Sequence, residues 1–524
     1  MVSTEVLVIL VIVLGCTSPT QGRAASSLDE ADADFWNTMA QNDLKDALKM
    51  KPNLNVAKNV ILFLGDGMGV STVTAGRILK GQVNGERGEE ESLTFDTFPY
   101  SALIKTYNVN QQTPDSAGTA TAFLGGVKTN AGVVGFTSRV TRGNCSLSTE
   151  ENKVDSILDW SLREGKSVGL VTTARITHAT PAAAYAHSAE RNWESDVHLS
   201  NVTEGCKDIA DQLITDNRDI QVLFGGGRRA FVPLGSVAPE DTKNNRKDGR
   251  NLIAEWTEDK ISRGKSHVVV NNTQHLKEVD PNAVDYVLGL FSNSHMDYEV
   301  SRDKSPTGQP SLAEMTELAI KVLQKNEKGF FLLVEGGRID HGHHASRAAA
   351  ALHEVLTFDA AIETALGLTN PEDTLIVSTA DHSHVFVIGG YQERGNNILG
   401  LVNENLSETT DGKPMTTLLY GNGPGYSVPR PDLTGVDTTD KDYKQQSAVG
   451  KSSETHGGED VSVHAIGPMS HLFHGVREQN FIAHVMAYAS CVGQNKDHCN
   501  SGNQLSSVCV SFFPLILTIL QRWF

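Results

Sequence analysis

The sequence predicts an α/β fold, a three-layer α/β/α sandwich around a large, mostly parallel sheet. Short apolar runs that indicate buried strands, at 59–64, 330–334 and 374–380, alternate with helical stretches such as 155–164, which precedes a strand at 167–172. Alternation of this kind is typical of a doubly wound sheet with helices on both faces. The chain has 524 residues, which is long for one domain, but a large sheet enzyme can reach this length undivided.

Metal-binding side chains follow these three apolar runs. Asp66 comes after the first run, Asp340 and His344 after the second, and Asp381 and His382 directly after the third. Because Asp340 and His344 are four residues apart, the first turn of a helix would direct both toward one ion. Ligands in open α/β sheets lie beyond the carboxyl ends of the strands, so the three clusters are expected to meet.

Single residues of the same kinds carry less weight. A lone histidine such as His198 or His275 is better interpreted as a surface or capping residue. The glycine-rich stretch 225–229 follows a predicted strand at 220–224, but it lacks a phosphate-loop pattern and is predicted to be a turn.

Ser116, in the segment Asp115-Ser116-Ala117, and His456 complete the set of candidate catalytic groups. Zinc binds carboxylate and imidazole ligands in four-coordinate sites, and a catalytic zinc leaves one position open. Two metal ions about 3.5–4 Å apart stabilise both the entering and the leaving oxygen of an in-line displacement at phosphorus. A serine nucleophile beside two zinc ions therefore indicates phosphoryl transfer.

These segments, taken together, resemble the alkaline phosphatases of animals. The resemblance spans about residues 34 to 499 and rests on five segments in one order: Gly65-Asp66-Gly67-Met68, Asp115-Ser116-Ala117, Val334 to His341, Thr379 to His384, and Glu454-Thr455-His456. It implies a phosphate-monoester hydrolase that works at alkaline pH through a phosphoserine intermediate on Ser116. It also implies that each subunit uses two zinc ions and one magnesium ion.

The resemblance assigns the metal ligands residue by residue. The first zinc is expected to bind three side chains: Asp340, His344 and His456. The second zinc is expected to bind another three: Asp66, Asp381 and His382. Magnesium, a hard ion suited to oxygen ligands, is expected at Asp66, Glu335 and Thr180. Water on the first zinc would attack the phosphoserine, and the second zinc would keep the serine hydroxyl deprotonated.

Three further residues match positions of the family around the substrate. Arg191 matches the arginine that binds the substrate phosphate, and its guanidinium fork can donate two parallel bonds where a lysine would act as a point charge. Without the resemblance, one arginine among many would be interpreted as surface charge. His178 and His341 are expected to orient waters or ligands without binding a metal themselves.

Animal members of the family carry a peripheral calcium ion, and this chain departs from its ligand set. Glu240 and Phe291 match two of the positions, but Ser292 stands where the family often has an acid, and an insertion blurs the alignment around 307–309. Calcium affinity depends on the number of charged ligands, so this site is expected to be empty or weak. Three nearby acids remain as alternative ligands: Asp297, Glu299 and Asp303.

The net charge argues against one class of partner. The chain carries 63 acidic against 45 basic residues, a formal charge of -18, which is unfavourable for a nucleic-acid-binding surface. A phosphate substrate would then be attracted by the local metal charges and not by the field of the whole protein.

Both ends of the chain indicate export. Residues 1–22 are predicted to be a signal peptide whose apolar core at 6–14 is too short to span a bilayer, although no Lys or Arg precedes it; an uncleaved anchor is the alternative. Residues 501–524 are predicted to be a GPI-attachment signal that is removed, with three candidate attachment residues: Asn500, Ser501 and Gly502. Because the spacer before the apolar run at 508–520 is short, a secreted form stays open beside the cell-surface form.

Sequons and cysteines agree with an oxidising compartment. Four sequons are candidate glycosylation sites: Asn144, Asn201, Asn271 and Asn405. Of the 6 cysteines, Cys16 lies in the predicted signal and Cys509 in the apolar tail, and the remaining four allow three disulfide pairings. The resemblance selects two pairs: Cys145 with Cys206, and Cys491 with Cys499.

The catalytic domain is predicted to span 26–500, with an insert at 390–453 where the alternation of strands and helices is lost. The resemblance implies that this insert is the crown of a homodimer. It also implies that an N-terminal helix within 29–50 embraces the partner subunit. The alternative is that the apolar residues of this helix pack on their own subunit: Phe35, Trp36, Met39, Leu44 and Leu48.

Two other interpretations of the function stay open. Phosphodiesterases and sulfatases share the architecture of this superfamily, but a sulfatase needs a Cys or Ser followed by Pro and Arg, which the segment 116–120 lacks. A catalytically silent extracellular binding protein is the alternative that is not an enzyme. Such a protein would be expected to have lost at least one metal ligand, and all of them are present in this chain.

Overall fold

The computed structural model describes residues 30–199, 205–236, 245–403 and 409–499. The strands in these ranges are, in chain order, β1 (Asn59–Gly65), β2 (Tyr100–Lys105), β3 (Ser167–Arg175), β4 (Val222–Gly226), β5 (His267–Val270), β6 (Tyr286–Leu290), β7 (Phe330–Gly336), β8 (Thr374–Ala380), β9 (Ser383–His384), β10 (Phe386–Ile388), β11 (Leu418–Gly423), β12 (Ser447–Gly450), β13 (His456–Gly457), β14 (Val461–Ile466) and β15 (Val476–Glu478).

Most of these strands belong to one central sheet of 10 strands, in the order β15-β2-β14-β8-β1-β7-β3-β4-β6-β5. Neighbouring strands are parallel, except that β14 runs antiparallel to both β8 and β2. A large, mostly parallel sheet with helices around it confirms the fold class that the sequence predicts.

The helices of the described ranges are α1 (Ala33–Ala47), α2 (Val70–Val83), α3 (Ser116–Gly125), α4 (Ile157–Arg163), α5 (Ala179–Ala182), α6 (Ile209–Thr215), α7 (Leu252–Ser262), α8 (Thr273–Lys277), α9 (Leu312–Leu323), α10 (Arg338–His344), α11 (Ala348–Leu368) and α12 (Phe481–Ser490). α9 illustrates how the sequence starts such a helix. Ser311 accepts the N–H of Glu314, whose carboxylate accepts the N–H of Ser311 in return, and the apolar face that follows packs on β3, β4 and β7.

The centre of the sheet contains the three strands that the sequence identifies most clearly. Every residue of β1, β7 and β8 is buried, as expected for parallel strands that are covered on both faces and therefore form continuous apolar runs. β8 has the predicted bounds, and β1 and β7 extend slightly beyond theirs, to Gly65 and Gly336. The prediction of a turn over 225–229 is only partly right, because β4 starts two residues later than predicted and includes Gly225 and Gly226. The chain leaves the strand at Gly227, which adopts a φ of 97°, and continues in the short 3₁₀ helix Arg228–Ala230.

The N-terminal helix and the insert lie outside this pattern. Residues 30–51 belong to a unit of their own, in which α1 buries none of its side chains. In the described parts of the insert, 390–403 and 409–453, the chain is mostly irregular, and its strands β11 and β12 join β10 in a 3-stranded sheet. Among the described helices, none combines the length and the apolar character needed to cross a membrane.

The structure pairs Cys145 with Cys206 and Cys491 with Cys499, at Cα separations of 5.8 and 6.1 Å. Of the predicted glycosylation sites, Asn144 and Asn271 are exposed. Several predictions lie outside the described residues: Asn201, Asn405, the signal peptide, the lipid-attachment segment and the calcium candidate Glu240.

Candidate active site

Three adjacent strands of the sheet end at the same level. β1 lies between β7 and β8, and Gly65 is opposite both Gly336 and Ala380. The residues that follow the strands therefore emerge side by side: Asp66 after β1, α10 after β7, and Asp381 after β8. This is the edge where ligands bind in open α/β sheets.

The three side chains expected to hold the first zinc meet at the end of α10. Oδ1 of Asp340 lies 3.3 Å from Nε2 of His344 and 3.3 Å from Nε2 of His456, and the two nitrogens are 3.1 Å apart. Ligand atoms bound to one zinc at about 2.0–2.1 Å in tetrahedral geometry lie about 3.3 Å from one another. The three atoms therefore have the spacing that a single zinc ion requires.

The three side chains expected to hold the second zinc are fully buried beside the first cluster. Oδ2 of Asp381 lies 3.1 Å from Nε2 of His382, and Oδ1 of Asp66 lies 3.6 Å from the same nitrogen. The backbone N–H of Gly67 donates to Oδ1 of Asp381 at 2.9 Å, which leaves Oδ2 facing His382. These spacings again suit one four-coordinate ion.

Buried oxygen atoms without partners mark the expected magnesium position. Both carboxylate oxygens of Asp66, Oε1 of Glu335 and Oγ1 of Thr180 are buried and make no hydrogen bond. A buried carboxylate is strongly unfavourable unless a charge or donor compensates it. Burial and then the charge of Asp381 raise the pKa of Asp66 well above its ordinary value, and burial raises the pKa of Glu335 to about 7. A cation with a preference for oxygen ligands fits this set.

Ser116 is the first residue of α3 and is buried. Its Oγ lies 3.2 Å from Nε2 of His382, a member of the second cluster. Asp115 caps the helix, because its carboxylate accepts the N–H groups of Ala117 at 3.3 Å and Gly118 at 3.1 Å. The serine hydroxyl thus stands at a positive helix end, beside the candidate metal ligands.

Arg191 reaches the same helix end from a distant segment. Its NH1 group donates to Oδ2 of Asp115 at 3.0 Å, and its NH2 group donates to Nε2 of His178 at 3.1 Å. Burial would raise the pKa of Asp115, but the Arg191 charge and the N–H groups that Asp115 accepts keep that pKa below its ordinary value. The guanidinium is therefore held in a fixed orientation next to Ser116.

Three imidazole rings pack together behind Arg191. The ring centre of His178 lies 5.5 Å from that of His341 and 5.1 Å from that of His295, and the rings of His295 and His341 are 4.1 Å apart. Burial lowers the pKa of His178 well below its ordinary value and lowers that of His341 to about 3. These rings are therefore neutral at the pH at which the site would work.

Besides His344, His382 and His456, a further histidine, His384, lies between the two expected zinc clusters. Nε2 of His384 is 2.9 Å from Oδ1 of Asp340, and its Nδ1 is 2.5 Å from Oε2 of Glu454. The strand pair β9 and β13 produces this arrangement, because it places His384 opposite His456.

A family model described as alkaline phosphatase matches residues 57–492. The chain belongs to the alkaline phosphatase family. The tissue-nonspecific alkaline phosphatase of Felis catus is 54% identical to it over 90% of this chain and 91% of its own length. The Homo sapiens counterpart is 52% identical over 94% of both chains, and the alkaline phosphatase of Gadus morhua is 52% identical over 89% of this chain and 99% of its own. This member of the family is therefore a phosphate-monoester hydrolase.

Solved structures agree on the fold of this family member. The alkaline phosphatase of Thermus thermophilus has a TM-score of 0.61 at 23% identity, covering 87% of this chain and 96% of its own. That of the Antarctic bacterium TAB5 has a TM-score of 0.57 at 23% identity, covering 84% and 100%. The alkaline phosphatase architecture thus extends across most of the chain.

In this family member, four residues near the site were not identified from the sequence: Asp115, His295, His384 and Glu454. Three of them had a usable signal. His384 is two residues after His382, and Glu454 is two residues before His456, a spacing that places side chains on one side of an extended segment. Asp115 had a second kind of signal, since Asp directly before a helix is a common cap. For His295 the sequence offered no signal.

Proposed function

We propose that this member of the family hydrolyses phosphate monoesters by two successive displacements, with the phosphoryl group carried on Ser116 in between. The observation that carries the proposal is the position of Ser116, buried at the first residue of α3 and 3.2 Å from His382. The N-terminus of a helix directs backbone N–H groups toward an anion. Arg191 stands at the same helix end, where its guanidinium suits two phosphate oxygens.

We infer that two zinc ions and one magnesium ion complete the site. Asp340, His344 and His456 would hold one zinc, and Asp66, Asp381 and His382 would hold the other. Within the first set the three ligand atoms lie 3.1–3.3 Å apart, and within the second Nε2 of His382 lies 3.1 and 3.6 Å from the two carboxylates. Magnesium would bind the unpartnered oxygens of Asp66, Glu335 and Thr180. When bound, these ions supply positive charge and lower the pKa of coordinated oxygen atoms.

The groups of the chain then act in both displacements. In the first, deprotonated Oγ of Ser116 bonds to phosphorus while the bond from phosphorus to the alcohol oxygen breaks, and the released alcohol takes a proton from water. In the second, a hydroxide oxygen bonds to phosphorus while the bond from phosphorus to Ser116 breaks, which releases inorganic phosphate. Arg191 keeps its bonds to the oxygens that do not react. Because both nucleophiles must be deprotonated, activity is expected to rise toward alkaline pH.

Metal analysis and two substrates separate this proposal from its alternatives. Purified protein is expected to contain two zinc ions and one magnesium ion per chain and to hydrolyse p-nitrophenyl phosphate much faster than bis(p-nitrophenyl) phosphate. A preference for the diester would favour a phosphodiesterase of the same superfamily. A chain without zinc and without turnover would favour a silent binding protein.

We also propose that the enzyme is exported, glycosylated at exposed Asn144 and Asn271, and attached to the cell surface as a homodimer. Two disulfides support an oxidising compartment, and the exposed apolar side chains of α1 support a partner subunit. Release of the protein from cells by a phosphatidylinositol-specific phospholipase tests the lipid anchor. Protein that is found only in the medium would favour the secreted form.

A further inference from the structure

Two segments of the chain hold each other beside the phosphate-binding arginine. The first, 175–178, connects β3 to α5 and contains His178, and the second, 191–194, contains Arg191. Each segment extends one arginine to the other. Arg191 donates to His178 at 3.1 Å, and Arg175 binds the carboxylate of Glu194.

Glu194 makes three contacts with the first segment. Its two oxygens accept from Nε of Arg175 at 2.7 Å and from NH2 of Arg175 at 2.6 Å, and Oε2 also accepts from Oγ1 of Thr177 at 2.6 Å. The side chains of Arg175 and Glu194 are only 14% and 12% exposed, so water screens this pair weakly. Paired bonds between a guanidinium and a carboxylate fix orientation as well as distance.

His295 closes the other side of Arg175. Its Nδ1 accepts the backbone N–H of Arg175 at 3.3 Å, and its Nε2 contacts the NH1 group of the same residue. The ring of His295 in turn packs against the rings of His178 and His341. Arg175 therefore lies between a carboxylate and an imidazole, and the loop that carries His178 cannot shift without breaking these contacts.

We propose that Arg175 and Glu194 are positioning residues for Arg191, an inference that rests on the proposed role of Arg191 in binding phosphate. The guanidinium of Arg191 has two anchors, Asp115 and His178. The capped start of α3 fixes Asp115, whereas His178 is only as fixed as its loop. The pair of Arg175 with Glu194 ties that loop to the segment of Arg191 itself. Two-bond recognition of phosphate depends on the orientation of the guanidinium, so loss of the pair weakens phosphate binding.

The variant Glu194→Gln tests this inference, because it keeps the shape and one acceptor but removes the charge. We expect the KM for p-nitrophenyl phosphate and the Ki of inorganic phosphate to rise together, by about five-fold or more. Glu255→Gln is the matched control, since Glu255 binds Arg250 through both oxygens in the same way but belongs to α7. The control is expected to leave both constants unchanged, and equal rises in both variants would contradict the inference.

A double-mutant cycle with Arg191→Ala separates positioning from a general structural role. If Glu194 acts through Arg191, Glu194→Gln produces no further rise in the Ki of phosphate once Arg191 is alanine. Effects that add in the double variant, or an unchanged Ki in Glu194→Gln alone, overturn the inference while leaving the proposed function intact. An unchanged Ki in Arg191→Ala overturns the proposed role of Arg191 instead.

A second variant covers the case in which Glu194→Gln does not fold, as judged by circular dichroism. Arg175→Lys keeps the positive charge but loses the fork that grips Glu194. We expect it to raise the Ki of phosphate by a similar factor, and a folded Arg175→Lys enzyme with the wild-type Ki would overturn the inference.

Discussion

Oδ1 of Asp340 lies 2.9 Å from Nε2 of His384, and the same oxygen faces His344 and His456 at 3.3 Å. Burial alone would lower the pKa of His384, but the carboxylates of Glu454 and Asp340 outweigh that effect and raise the pKa to about 10. The charged ring can donate to both carboxylates at once. His384 therefore orients the carboxylate around which the proposed ligands of the first zinc are arranged.

Replacing His384 with Gln is expected to weaken zinc binding at the Asp340 cluster by about 10- to 100-fold, because the carboxylate loses the group that orients it. Competition with a chromogenic zinc chelator measures the affinity. His484→Gln in α12, whose ring contacts the carbonyl of Gly126, is the control and should bind zinc like the wild type. Wild-type affinity in His384→Gln would contradict the prediction.

Ser116→Ala is expected to lose the phosphoenzyme and to reduce turnover by on the order of a thousand-fold or more, because its hydroxyl is the proposed nucleophile. Its zinc content is expected to persist, because Ser116 is not among the proposed zinc ligands. Acid quenching after mixing with labelled substrate, followed by peptide mapping, checks this result. Ser490 is a buried serine of α12, and the control variant Ser490→Ala should still be labelled on Ser116. Label on any residue other than Ser116 would refute the assignment.

The N-terminal helix is expected to hold two subunits together. Trp36 and Leu44 of α1 and Leu48 directly after it are 47%, 58% and 77% exposed, and large apolar side chains left exposed on one short segment favour an interface. Mass photometry at nanomolar concentration should show a dimer for the wild type and monomers for the double variant Leu44→Glu with Leu48→Glu. Gln41→Glu, which adds a charge at a polar position of α1, should stay dimeric. A monomeric wild type would count against the prediction.

The peripheral calcium site is expected to be empty or weak. The three alternative acids already have partners: Asp297 accepts from Gln309 at 3.2 Å, Glu299 binds Arg302 at 2.7 Å and Lys304 at 2.9 Å, and Asp303 accepts the N–H of Ser305 at 2.9 Å. EGTA at levels that spare zinc should leave the melting temperature unchanged, as measured by calorimetry. A decrease that added calcium reverses would show that the site is filled.

Lys166 is expected to make the folded protein more stable as the pH rises through the alkaline range. Its Nζ donates to the carbonyls of Lys58 and Lys328, and burial, then the charge of Lys58, lowers its pKa from 10.5 to about 8. Between these values the unfolded chain binds the proton more tightly than the folded protein does. The contribution of neutral Lys166 to the free energy of unfolding is therefore complete above pH 10.5 and is lost as the pH falls through about 8.

The variant Lys166→Met removes this titration. Between pH 8 and 10.5 the melting temperature of the wild type should rise relative to that of Lys166→Met, and differential scanning calorimetry measures both. Parallel curves across this range would rule out the predicted shift.

The central strands and the order of the ligand segments follow from the sequence because β1, β7 and β8 are buried on both faces and so form unbroken apolar runs. The position of β14 could not be predicted. Its alternating pattern indicates a strand, but only tertiary pairing decides that it lies antiparallel between β8 and β2. The role of His384 was missed for a similar reason, since its partner Glu454 is 70 residues away and is brought near by the short pair of β9 and β13.

Because β1, β7 and β8 end side by side, the metal site can form only after these three strands have paired. Gly67 and Asp381 are 314 residues apart in the chain, yet they are hydrogen-bonded in the site. No single segment of the sequence contains all the proposed ligands of either zinc ion. Pairing of the three strands must therefore precede tight metal capture. Ions that bind only the finished fold stabilise it by mass action, so metal depletion and unfolding should be coupled, and a newly made chain has to complete its sheet before it can become an enzyme.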